Sequence, residues 1–154
     1  MEERKVCSFF GHRDIKTTDE LYSSVLEQIE KAINSGCRIF YFGGLGAFDS
    51  LCYDIVTAKK AELPSLGISR VFCVPDERGL RKTAYYSKNK QYEEIIYLPL
   101  QFDYWYKRIY FRNCAMIDRS DYVIFYAEPR QGSGAFKAYK YAMEKNGKQI
   151  INLY

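Results

Sequence analysis

Apolar runs of strand type alternate with apolar positions at helical spacing along most of this chain. Val6–Phe10 is a short apolar run that stops at Gly11. Thr18-Asp19 then offers a helix cap, and Leu21, Val25, Ile29 and Ile33 recur at the spacing of one helix face. Gly36 closes that helix. Arg38–Phe42 is a near-continuous β-type run, the pattern of a strand covered on both sides. Phe48, Leu51, Cys52, Ile55 and Val56 mark a second helix ending near Pro64, and Arg70–Val74 a third strand stopped by Pro75. Residues 76–94 are polar and irregular and read as a long loop. Ile95–Leu98 reads as a fourth strand, Tyr106–Arg119 as a helix and Tyr122–Tyr126 as a strand. Ala135, Ala138, Tyr139, Ala142 and Met143 line a last helix before Gly147, and Gln149–Leu153 is a final strand. This order predicts an α/β, Rossmann-like three-layer domain with a mainly parallel sheet, spanning residues 1–154 as one unit.

Two glycine turns fall at strand-to-helix junctions. Phe42-Gly43-Gly44-Leu45-Gly46-Ala47-Phe48-Asp49 follows the second strand, and Gly132-Ser133-Gly134 opens the last helix. A helix starting at such a turn aims unpaired N–H groups and a positive dipole end at whatever lies before it, most often phosphate. Gly11-His12-Arg13 follows the first strand, and a parallel sheet of this kind binds ligands where these loops converge beyond the strands' carboxyl ends. Arg13 reads as a fork-shaped phosphate partner. The lone His12 reads as a hydrogen-bonding or packing residue before a catalyst. Asp49, in the first helical turn, either complements the helix dipole or serves a ligand. Arg112-Asn113 either reaches the site from a helix end or faces solvent. Ser133 has no evident His–Asp partner, so a nucleophile is not expected there.

Composition narrows the field. The chain has 154 residues and a formal net charge of +4, which favours anionic ligands mildly without the clustered excess of a dedicated nucleic-acid binder. The five cysteines include no C-x-x-C pair, and an odd number cannot all pair within one chain, so buried reduced thiols are expected. With a single histidine no metal site is expected. Neither a signal-type N-terminus nor a membrane-length apolar stretch is evident, which predicts a cytoplasmic protein without membrane attachment. The fifteen tyrosines suit a stacking surface as well as strand propensity.

Gly11-His12-Arg13, the Phe42–Asp49 turn, Arg112-Asn113, Ser120-Asp121-Tyr122-Val123-Ile124 and Gly132-Ser133-Gly134, in this order, resemble the SLOG superfamily. That superfamily is named for the DprA/Smf and Lonely Guy proteins, and the nearest group is that of the small YpsA-like and YoqJ-like bacterial and phage proteins. The resemblance covers nearly the whole chain. It implies binding of a nucleotide or nucleotide-derived ligand, such as a nucleoside phosphate or an ADP-ribose-like molecule, by a sensor or regulatory module. The implied ligand-binding residues are Gly11, His12, Arg13, Gly43, Gly44, Gly46, Phe48, Asp49, Arg112, Asn113, Gly132, Ser133 and Gly134. No cofactor is implied. The Lonely Guy motif carries a glutamate where this chain has Ser50, and Ala47 replaces its threonine. An N-glycosidic hydrolase therefore stands as an alternative, with Asp49 as the catalytic acid. The DprA motif carries a further arginine where Cys114 stands. Single-stranded DNA binding stands as a second alternative, resting on Arg112-Asn113 and the basic, tyrosine-rich segment 78–112. A homo-oligomer is also open.

Overall fold

The computed structural model describes residues 3–44, 46–76, 81, 89–98 and 107–154. Six strands form one wholly parallel sheet: β1 (Lys5–Gly11), β2 (Cys37–Phe42), β3 (Ser69–Val74), β4 (Glu94–Tyr97), β5 (Tyr122–Tyr126) and β6 (Gln149–Asn152), in the order β4-β3-β2-β1-β5-β6. Among the described residues four α-helices cover it: α1 (Asp19–Asn34), α2 (Ala47–Glu62), α3 (Arg108–Asp118) and α4 (Gly134–Met143). Most of the 76–94 loop and residue 106 of the expected third helix lie outside the described residues.

The strands alternate their side chains between two cores, as a period of two requires. Cys7, Phe9, Phe40 and Phe42 face the core made with α1 and α2. Val6, Phe10, Tyr41, Val123 and Phe125 face the core made with α3 and α4. Burial on both sides explains why these strands read as continuous apolar runs. Thr18 caps α1 by accepting the Leu21 N–H at 3.1 Å. All five cysteines are buried free thiols, and burial pushes those of Cys37 and Cys73 up to about 11 and about 12, which leaves them inert at neutral pH. No helix among the described residues is long and apolar enough to cross a membrane.

Sheet order matters most at β1. The β1 strand pairs with β2 on one side and β5 on the other. The helix following β1 packs on one face of the sheet and the helix following β5 on the opposite face. The two connections therefore diverge and leave a crevice at the carboxyl ends of β1 and β5.

Candidate functional site

That crevice is a cleft of ≈ 440 Å³, within the range of small-molecule sites. The loops after β1, β2 and β5 all reach it, and α3 supplies one wall. Of the residues expected from sequence, it gathers Gly11, His12, Arg13, Gly43, Asp49, Arg112, Asn113, Gly132, Ser133 and Gly134.

One end is the start of α4. Ser133 is its N-cap, accepting the Phe136 N–H at 3.2 Å. Gly132, with φ at +78°, makes the turn that sets this cap, a conformation that costs glycine nothing. His12 holds the same serine from across the crevice. The His12 Nε2 accepts the Glu128 N–H at 2.8 Å, so the ring proton sits on Nδ1, which donates to Ser133 Oγ at 3.2 Å. Burial, reinforced by Arg130, draws the His12 pKa below its ordinary value. A neutral His12 is therefore a positioning residue that ties the β1 loop to the α4 cap. Ser133 Oγ thus accepts two hydrogen bonds, which leaves its own hydrogen to donate outward.

The opposite wall is the turn after β2. Gly43 sits so close to Arg112 that an added Cβ would lie 2.8 Å from its guanidinium. Arg112 is 5% exposed and donates to the Gly43 carbonyl at 3.3 Å and to Asn113 Oδ1 at 2.9 Å. Burial pulls its pKa down from the ordinary arginine value. Asp49 approaches the same turn from α2. Its Oδ1 accepts the Gly43 N–H at 3.3 Å, while its Oδ2 is buried without a hydrogen-bond partner. Burial raises the Asp49 pKa to about 6, against the opposing pull of Lys90, Arg112 and the amides of Gly43 and Gly44. This carboxyl takes up or gives up a proton close to neutrality, as acid–base work requires. It also means that the Gly43 amide already has an anion of its own.

The remaining expected residues lie around the cleft without lining it. Gly44 (φ +81°) packs against the Phe72 ring, where a side chain would collide. Gly46 lies against the Arg13 backbone, and the Ala47 N–H donates to the Arg13 carbonyl at 3.1 Å, which joins the first two loops. Phe48 is fully buried beneath Gly11, so it supports the cleft floor from the core. Arg13 itself is exposed at the cleft, and no carboxylate among the described residues lies within ion-pair distance of it.

Sequence reasoning missed Arg130 and Asp14. Arg130 lines the cleft and bridges the β5 loop to the β1 loop, at 2.7 Å from Glu128 and 3.1 Å from Asp14. The only available signal was their position in loops already expected to converge. Ile109, on α3, also lines the cleft and offers an apolar surface. The arrangement can hold an anion at α4, adds the positive charge of Arg13 to the same cleft, and offers a hydrogen-bond acceptor at the far wall.

No protein-family model and no curated protein matches the sequence. Among solved structures, the chain is similar to DNA processing protein A from Helicobacter pylori, studied for its single-stranded DNA binding mode. The TM-score is 0.53 at 14% identity, over 96% of this chain and 64% of that one. It is also similar to the Moco carrier protein from Chlamydomonas reinhardtii, with a TM-score of 0.52 at 13% identity over 97% of this chain and 76% of that one. The chain thus spans a little under two thirds of the DNA processing protein. At these identities the likeness establishes a shared DprA-like, Rossmann-type fold.

Proposed function

We propose that this protein is a small SLOG-superfamily module of the YpsA-like and YoqJ-like kind that binds a nucleotide-derived ligand in the β1/β5 cleft. The ligand is a nucleoside phosphate or an ADP-ribose-like molecule, and the module serves as a cytoplasmic sensor or regulator. One observation carries the reading: a capped helix start, an exposed Arg13 with no ion-pair partner among the described residues and the buried Arg112 converge on one cleft at the sheet's switch point. Phosphate would take the α4 N–H groups, the Ser133 hydroxyl and the Arg13 guanidinium.

A thermal-shift and calorimetric panel of nucleoside phosphates, NAD and ADP-ribose tests this. A true ligand at a hundredfold excess over its Kd stabilises by about 2.7 kcal/mol, which is roughly 5–10 °C for a domain of this size. Arg13→Ala should weaken that ligand roughly ten- to hundredfold, the loss of one charge-assisted hydrogen bond. Its melting temperature should stay put, because the side chain is exposed. If no compound shifts the protein and native mass spectrometry finds no co-purified nucleotide, the reading fails.

A second reading, single-stranded DNA binding, is favoured by the fold shared with DNA processing protein A. About half of its basic, tyrosine-rich segment 78–112 lies outside the described residues. Fluorescence anisotropy with a labelled oligonucleotide should then show binding that weakens steeply with salt. Absence of binding at low salt removes it.

A further inference from the structure

The cleft has one end that attracts an anion and one wall that repels it. The repelling wall is Asp49, which is 7% exposed and lines the cleft with one carboxylate oxygen engaged and the other unpartnered. The groups that act on this carboxyl come from every neighbouring element. They are Lys90 before β4, Arg112 on α3, the Gly43 and Gly44 amides, Cys52 on its own helix, Cys73 on β3 and Tyr92. None of them hydrogen-bonds Oδ2. A buried, unpaired carboxylate oxygen is expensive to maintain and is seldom left without a use.

The chemistry of a suitable partner is restricted. A second anion is excluded by repulsion. A further cation is superfluous, since Lys90 and Arg112 already offset the charge. A neutral hydrogen-bond donor meets the need without changing the charge balance. A nucleoside phosphate offers such donors on its sugar and on its base, and the ribose cis-diol presents two of them side by side, as a carboxylate's two oxygens require. We propose that Asp49 is a specificity-determining residue that accepts hydrogen bonds from the cis-diol of a ribose, so that the site takes ribonucleoside phosphates and rejects deoxyribonucleoside phosphates. This rests on the nucleotide reading above and deepens it. It also opposes a DNA ligand in this cleft, because deoxyribose lacks the 2′-hydroxyl.

The test is calorimetry at pH 7.5 with the four ribonucleoside 5′-monophosphates, their 2′-deoxy and 3′-deoxy counterparts, ADP-ribose and ribose 5-phosphate. The ribo form of at least one base should bind roughly ten- to hundredfold more tightly than either deoxy form. Asp49→Asn, which preserves shape and one acceptor, should bring that ratio below about threefold while leaving the protein folded. Equal affinity for ribo and deoxy forms in the unmodified protein overturns the role of Asp49 and leaves the nucleotide reading standing. Unchanged discrimination in Asp49→Asn overturns it as well. Ribose 5-phosphate binding as tightly as any nucleotide supports the diol contact and overturns the nucleoside part of the reading. If none of the probes binds, the nucleotide reading fails and the inference falls with it.

Discussion

Asp49→Asn should make this protein more stable at neutral pH, an effect that follows from a carboxyl held out of water. The charged form of Asp49 is disfavoured by burial, so its pKa rises from the ordinary 3.8 to about 6. At about 1.4 kcal/mol per pH unit, that displacement places roughly 3 kcal/mol of penalty on the folded, ionised protein. The folded state holds this proton more tightly than the unfolded chain, so the group lowers stability as pH rises through about 4 to 6, and the full penalty is present above that window. Asparagine removes the charge and keeps an acceptor for the Gly43 N–H. It also leaves a buried amide N–H₂ where the unpartnered oxygen stood, which costs about 1 kcal/mol. The net is about 2 kcal/mol of added stability at pH 7.5, or about 4–8 °C in Tm. At pH 4.5 Asp49 is already protonated in the folded protein, and the gain should fall below about 0.5 kcal/mol. Urea unfolding of both proteins at the two pH values measures this directly, because the difference between them cancels every other titrating group. A variant that is less stable at pH 7.5, or whose gain is the same at both pH values, would refute the account of Asp49 as a desolvated, functionally retained acid.

Two further outcomes follow from the same geometry. Ser133→Ala removes the α4 cap and the acceptor of the His12 N–H, and should cost about 0.5–2 kcal/mol in urea unfolding while also weakening phosphate-bearing ligands in calorimetry. Gly11→Ala places a methyl against the buried Phe48 ring, and should lower stability by about 1–3 kcal/mol through forced repacking; an unchanged melting curve would show that the cleft floor is less tightly packed than described.

The elements and their order are readable from the amino-acid sequence. The central strands announced themselves as continuous apolar runs because both sheet faces are covered there, whereas the edge strand β4 is largely exposed. Each helix announced itself as an apolar stripe because only one of its faces is covered. Thr18 was legible as a cap, since capping is a contact over three residues and needs no tertiary partner. Ser133 read only as part of the glycine turn that opens the last helix, and its capping contact came from the structure. The convergence of the loops after β1, β2 and β5 followed from parallel α/β topology as a rule. The roles of individual site residues did not follow, because they depend on partners far away in the chain. Nothing local to Gly11-His12-Arg13 says that His12 will steady Ser133, 121 residues later. Arg112 could equally have been a solvated helix residue; its burial comes from the docking of α3 against the β2 turn, where the Gly43 carbonyl meets it. Asp49 reads locally as a carboxylate suited to a helix dipole. Only the packed structure turns it back onto the Gly43 amide, shuts water away from its second oxygen and raises its pKa. Period and punctuation are written in neighbouring residues. Charge environment arises when the sheet brings distant loops to one edge, so the anion end and the acceptor wall of this cleft belong to the tertiary structure alone.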